Sequence, residues 1–256
     1  MQITGRRGVV WRPPQISADG LKLLAGVILL LQTIGATVIE KGLIHLDQYT
    51  QKELSEMMAT DSDFMVLSGI GSVLQIVAGL AVPLFAFLLV EGFRKTSSYK
   101  NYLIGIVIFA LVSEIPYDLA YSQRIWDWSS QNAMVGLGIS LLMLYFIRML
   151  EEKMGAACRM GKLVIVLCAV VWVTVLRAQY GLCQVLLVAI LYLFRDRGGW
   201  RTFLGIIVSL LYITGPLGFY FIWLYSGERK DRWPKYAYYL FYPAHLLILG
   251  VMTAVL

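Results

Sequence analysis

His245 lies inside the last apolar run of this 256-residue chain, in Tyr239-Leu240-Phe241-Tyr242-Pro243-Ala244-His245-Leu246-Leu247-Ile248-Leu249. An imidazole surrounded by hydrocarbon costs free energy unless it is hydrogen-bonded or wetted, so an ionisable residue in such a run reads as a site. Two carboxylates close an earlier apolar run, in Glu114-Ile115-Pro116-Tyr117-Asp118. A histidine and a carboxylate in a partly hydrated, low-dielectric pocket suit proton transfer, with Glu114 or Asp118 orienting His245. Gln131, Asn132, Tyr180 and Tyr242 fall near the ends of their own runs, where they would contact a substrate. A plainer reading stands beside each. Histidine also serves as glue between transmembrane helices, and Glu114 and Asp118 can supply partners to backbone freed at Pro116.

These residues must be positioned by membrane-spanning helices. Hydrophobic residues make up 59% of the chain and charged residues only 15%, whereas a soluble domain carries about a quarter charged residues. Runs long enough to cross a ~30 Å hydrocarbon core occur over 20–39, 66–92, 102–120, 132–149, 162–178, 180–194, 202–225 and 236–256. The expected fold is an all-α, polytopic transmembrane bundle of about eight spans, forming a single domain over 1–256. Residues 1–19 are a basic arm, and the 40–65 loop holds a short surface helix over 51–59. The pair at 162–194 is short, and a re-entrant hairpin there is the alternative to two spans. Gly215-Pro216-Leu217-Gly218 should kink the seventh span. Tryptophans and tyrosines near span ends fit an interfacial belt, and Gly69, Gly71, Gly79, Gly136 and Gly138 fit close helix packing.

Lys and Arg concentrate in the N-terminal arm and in the loops around Arg94-Lys95, Lys153 and Arg195-Asp196-Arg197, while the first loop is acidic. By the positive-inside rule the N-terminus is cytoplasmic. One loop resists: Glu228-Arg229-Lys230-Asp231-Arg232 is net positive yet falls outside if there are eight spans. Either a span is miscounted or Arg229 and Arg232 hold an anionic group there. The net charge of +6 is thus mostly orientation signal and implies no nucleic acid. No phosphate loop, dinucleotide fingerprint or zinc-type Cys/His spacing is present, so no metal site is expected. Cys158, Cys168 and Cys183 offer no obvious disulfide pair.

Six segments together carry a resemblance. They are Asp19-Gly20-Leu21-Lys22-Leu23-Leu24-Ala25, Pro83-Leu84-Phe85-Ala86-Phe87-Leu88-Leu89-Val90-Glu91-Gly92-Phe93, Ser113-Glu114-Ile115-Pro116-Tyr117-Asp118-Leu119, Asp127-Trp128 with Gln131-Asn132, Leu191-Tyr192-Leu193-Phe194-Arg195, and Phe241-Tyr242-Pro243-Ala244-His245-Leu246. In these the chain resembles the TraX family, whose founding member is linked to N-terminal acetylation of a conjugative pilin. That family in turn resembles integral-membrane acyltransferases. The resemblance implies a bacterial inner-membrane protein that takes an acetyl or other acyl group from acyl-CoA and passes it to an extracytoplasmic peptide or glycan.

Four positions depart from the family pattern. An Asp-His pair in the first span falls on Gln32 and Thr33, an arginine in the second falls on Gly79, and Asp-Tyr-Gly becomes Gln179-Tyr180-Gly181. A threonine following the Gln-Asn pair is replaced around Gly136. Each change removes an ionisable or hydrogen-bonding group. Loss of a general base costs about 10²–10⁴-fold in rate, and threonine acts as a nucleophile only when another base activates it. Three readings follow. The chain is an acyltransferase with His245 as its base, or an inactive relative acting as subunit or regulator of a membrane paralogue. The third, a transporter or flippase, rests on the broken seventh span.

Overall fold

The computed structural model describes residues 15–154, 158–228 and 235–256. Those residues form a helical bundle without a named strand. Five helices among them are long and apolar enough to cross a membrane, and the chain is an integral membrane protein.

The first crossing is α1 (Ala18–Thr33), capped by Ser17, whose hydroxyl accepts from the Gly20 amide. It continues without a break into wide π-type turns over Ile34–Leu43. The outer connection carries α2 (Gln51–Thr60), the surface helix expected from the sequence, closed by a reciprocal Thr50–Glu53 capping box. Those bonds from Thr50 hold the Glu53 carboxyl below its ordinary range. α3 (Ser62–Val77) and α4 (Ala81–Lys95), joined by one tight turn at Ala78–Leu80, make the second crossing. α5 (Tyr99–Ser122) and α6 (Ala133–Met154) follow. α5 runs through Pro116 without the break that the sequence suggested.

α7 (Arg159–Val175) and α8 (Gly181–Leu193) form an antiparallel pair whose turn is tied to the α5–α6 connection, where Gln131 and Gln179 exchange backbone bonds with Arg177 and Gln131. The segment over 202–225 departs from expectation. α9 (Gly198–Ser209) spans only 12 residues, about 18 Å of rise. The chain reverses at Leu210–Gly215 and returns as a single tight turn and α10 (Gly218–Trp223). Reversal needs a close approach that only glycine allows, because a Cβ on Gly215 would collide with the Ser209 carbonyl. The expected kink is therefore a hairpin tip, and its two ends share one side. Ile16 pairs with Leu224 and Ser226, and Lys95 donates to the Gly227 carbonyl at 3.1 Å.

α11 (Lys235–Val255) completes the bundle. Its direction shows whether residues 202–225 cross. Phe109 stacks on Tyr239 with ring centroids 5.2 Å apart, and Gly250 abuts Ala120, where a Cβ would sit 2.9 Å from the Ala120 nitrogen. The two contacts are spaced equally along both helices, so α5 and α11 run parallel in register. A full crossing at 202–225 would make them antiparallel. Residues 202–225 therefore make no net crossing, and the end of α11 lies opposite the basic end.

Leu224, Ser226 and Glu228 sit with the start of α1 at the basic end. Arg229 and Arg232 themselves, like Arg6, Arg7, Arg12 and Trp233, lie outside the described residues. Trp200 and Trp223 are exposed at the basic end and Trp126 and Trp128 at the other, as an interfacial belt requires. Gly35 and Gly71 let the π-type turns and α3 touch, a Cβ on Gly35 falling 2.8 Å from the Gly71 carbonyl. Gly69 has open space where a Cβ would be, and Gly138 meets an ordinary contact at 3.6 Å; neither mediates close packing.

Candidate functional site

Residues 114, 117, 118 and 121 follow the i, i+3, i+4, i+7 spacing of one helix face, so α5 presents Glu114, Tyr117, Asp118 and Tyr121 inward together. α11 lies parallel to it and brings Tyr242 and His245 to the same level. α1 ends there with Gln32 and Thr33, and the α7–α8 turn adds Gln179 and Tyr180. All of these lie toward the end of the bundle opposite the basic one. Thr33, Asp118, Asn132 and His245 are buried.

His245 is held by its own helix. Its Nδ1 lies 2.8 Å from the Phe241 carbonyl oxygen, which only accepts, so Nδ1 carries the proton and Nε2 presents a lone pair. Nε2 faces Thr33 Oγ1 at 3.4 Å. The ring also stacks on Phe241, with centroids 5.0 Å apart, and meets Tyr242 edge-on at 5.6 Å. The expected pairing with a carboxylate does not occur: both carboxylates have other partners. Asn132 Nδ2 donates to Glu114 Oε2 and to the Ala110 carbonyl at 2.8 Å, while Asn132 Oδ1 accepts from the Met134 amide at 2.9 Å. Asn132 thereby starts α6 and locks it to α5. Asp118 Oδ2 accepts the Asp127 amide at 2.8 Å, so it clamps the outer loop. The plainer reading of Asp118 as a helix-end partner describes this geometry.

That loop is itself cross-braced. The Asp127 carboxylate accepts from Ser122 Oγ at 2.5 Å and from the Ser129 amide and hydroxyl at 2.9 and 2.8 Å. Stabilised first by the Ser122 hydroxyl and then by Ser129, its carboxyl titrates at about 2.

The sequence reading missed the centrality of two tyrosines. Gln32 Nε2 donates to the Tyr121 hydroxyl at 2.9 Å, and Thr33 and Gln179 also reach that hydroxyl. Lys41 Nζ donates to the Tyr121 carbonyl. Tyr117 packs against Tyr121 with centroids 4.8 Å apart and shares a hydrogen bond with Ser130 at 3.1 Å. The Tyr242 hydroxyl accepts the Ala133 amide at 3.3 Å. The signal for them is the helical spacing from Glu114 to Tyr121.

Of the positions that the resemblance marks as replaced, Gln32, Thr33 and Gln179 all face this cluster. Gly79 does not. A Cβ there would lie 2.6 Å from Thr214 Oγ1 and 2.8 Å from Tyr212 Cβ, so the hairpin tip fills the space a side chain would need. Thr214 in turn donates to the Ile76 carbonyl at 2.5 Å, and Tyr212 meets Tyr180 edge-on with centroids 5.1 Å apart. Gly136 packs on Gln184 Oε1, a buried α8 amide that the sequence reading did not single out.

A second feature lies at the basic end: a cleft of about 350 Å³ lined by Phe93, Arg94, Arg148, Glu151, Glu152, Tyr192 and Arg195, in which Arg94 pairs with Glu91, Arg148 with Glu152 and Arg195 with Glu151. The guanidiniums of Arg148 and Arg195 lie over the rings of Tyr99 and Tyr192, 4.6 and 4.7 Å from their centroids. Among the described residues no group of three or more His, Cys, Asp or Glu could hold a metal ion.

No curated protein and no solved structure matches this chain. The family model described as "TraX protein" matches residues 17–253, from the cap of α1 almost to the end of α11. That match takes in every element of the polar cluster, and the chain belongs to the TraX family.

Proposed function

We propose that this protein is an acyltransferase of the bacterial inner membrane, moving an acetyl or other acyl group from acyl-CoA to an amine or hydroxyl of an extracytoplasmic peptide or glycan. The observation that carries the reading is the state of His245. Its Nδ1 proton is fixed on the Phe241 carbonyl, which leaves Nε2 as a base beside hydroxyl groups. Acyl transfer needs that arrangement, because the attacking group must lose a proton as the new bond forms. The Phe241 carbonyl takes the orienting role that a carboxylate has in other triads.

With the basic end facing the cytoplasm, the cleft between Arg94, Arg148 and Arg195 is where the phosphates of a thioester donor would meet guanidiniums, which suit them by charge and planar donor geometry. The test is transfer of isotope-labelled acetyl groups from acetyl-CoA to extracytoplasmic material in membranes holding wild type, His245→Ala or no protein. Label should depend on His245, falling by about 10²-fold or more in the variant. Equal label in wild type and variant, with both proteins inserted, would sink the assignment.

One observation favours a second reading, in which the chain is an inactive partner of a TraX paralogue. The replaced positions Gln32 and Thr33 stand at the centre of the cluster, where loss of Asp and His is most damaging. On that reading an active paralogue co-purifies with the chain, and label follows the paralogue instead.

A further inference from the structure

Thr33 occupies the place a nucleophile needs. Its Oγ1 lies 3.4 Å from His245 Nε2, and the base is oriented from behind by the Phe241 carbonyl at 2.8 Å. Nucleophile, base and orienting group in a row are the geometric signature of covalent catalysis. Resting Thr33 donates its proton to the Leu29 carbonyl at 2.9 Å, so engaging His245 exchanges one acceptor for another by rotation about a single bond. Tyr121 flanks the same hydroxyl. Because the Tyr121 oxygen already accepts from Gln32, its own proton is available to an oxyanion forming beside Thr33. The backbone supports the position too. Thr37 Oγ1 donates to the Thr33 carbonyl at 2.6 Å, and the π-type turns begin at Ile34, a distortion that recurs at functional sites.

The geometry points to Thr33 as an acyl carrier. This rests on the acyltransferase reading and specifies its course: the acyl group passes through a threonine ester and is not transferred directly. In the first half-reaction Oγ1 bonds to the thioester carbonyl carbon while His245 Nε2 takes the hydroxyl proton. The carbon–sulfur bond then breaks, and the proton leaves with the thiol. In the second half-reaction the acceptor amine or hydroxyl attacks the ester carbon and gives its proton to Nε2. The carbon–oxygen bond breaks, and Thr33 regains its hydrogen. No oxidant or further reactant is needed.

The test uses the full chain in lipid nanodiscs, free of acceptor, with acetyl-CoA as the only donor. Thiol release should show a burst approaching one equivalent per chain, and the peptide containing Thr33 should carry the mass of one acetyl group, removable by alkaline hydroxylamine. Thr33→Ser should keep both signals. Thr33→Val, close in shape, and His245→Ala should each lower the burst by about 100-fold or more. In the membrane assay given above, acetyl transfer that is undiminished in Thr33→Val, or that proceeds while the nanodisc protein carries no acetyl on Thr33, overturns the ester while leaving acyl transfer in place. No acetyl above the vector background in any arm, with every protein inserted and helical, overturns both readings.

Discussion

Asn132 is the structural hinge between α5 and α6, and replacing it by alanine tests whether the bundle is held there by hydrogen bonds or by packing alone. The substitution removes the α6 cap, worth about 1 kcal/mol. It also removes two donated bonds, each averaging about 0.6 kcal/mol between helices in a bilayer. The larger cost comes from Glu114. With Asn132 gone, Oε2 is left buried without that donor, a penalty of about 1–3 kcal/mol. We expect a loss of about 3–5 kcal/mol, seen as a fall in Tm of roughly 10 °C or more for a chain of this size. The assay is thermal unfolding in mild detergent followed by helical circular dichroism. Adding Glu114→Leu to Asn132→Ala should recover about 1–3 kcal/mol of the sum expected from the single variants, because the stranded carboxylate is gone. Strict additivity of the two substitutions, or a loss below about 1 kcal/mol from Asn132→Ala, would refute the hydrogen-bonded account.

The hairpin makes a topological prediction: single cysteines placed at Gly198 and Gly227 should react with an impermeant maleimide from one side of the membrane, and one at Leu256 only from the other. Labelling of positions 198 and 227 from opposite sides would restore a full crossing at 202–225. Gly250→Leu should separate α5 from α11 and cost about 1–3 kcal/mol, with loss of cross-linking between cysteines at Phe109 and Tyr239 while helix content is retained. Gly79→Arg should lower the yield of folded protein instead of restoring activity, since the hairpin tip occupies the space; an active, stable variant would show that the tip yields. Asp127 gives a pH signature. Its carboxyl is depressed to about 2 in the folded loop, so its contribution is complete above the unfolded carboxyl range near 3.8 and disappears as pH falls through about 2. Tryptophan fluorescence from Trp126 and Trp128 should report that acid transition, and Asp127→Asn should abolish it.

Much of this architecture is legible in the amino-acid sequence. Apolar run lengths locate the crossings, and Thr50 with Glu53 marks the surface helix. His245 stands out because its surroundings are hydrocarbon. The hairpin is not legible, for a physical reason. Residues 202–225 are uniformly apolar, and hydropathy records the length of a run, not whether the chain turns within it. Pro116 misleads in the opposite direction, since a proline ring within a bundle can be accommodated by neighbouring helices without ending the helix. The pairing of His245 with a carboxylate fails because a backbone carbonyl four residues earlier on the same helix already satisfies Nδ1. Such a partner lies at fixed sequence distance from any helical histidine, so sequence reasoning can weigh it. Thr33 is visible in the sequence only as a loss. Its position opposite His245 depends on how α1 and α11 are rotated against each other, which no single segment encodes.

The hairpin also bears on how the chain enters the membrane. Moving Arg or Lys through the centre of a bilayer costs about 2.5–3.5 kcal/mol per residue on insertion scales. Glu228 accepts the Ala18 amide and Tyr238 of α11 lies beside Lys22, so both sit at the same end as the α1 cap. An insertion machine threading this protein therefore never has to carry the Glu228 end of the hairpin across. A segment that reads as one crossing instead dips in and withdraws, and the last helix can then enter from the side on which the ribosome stands.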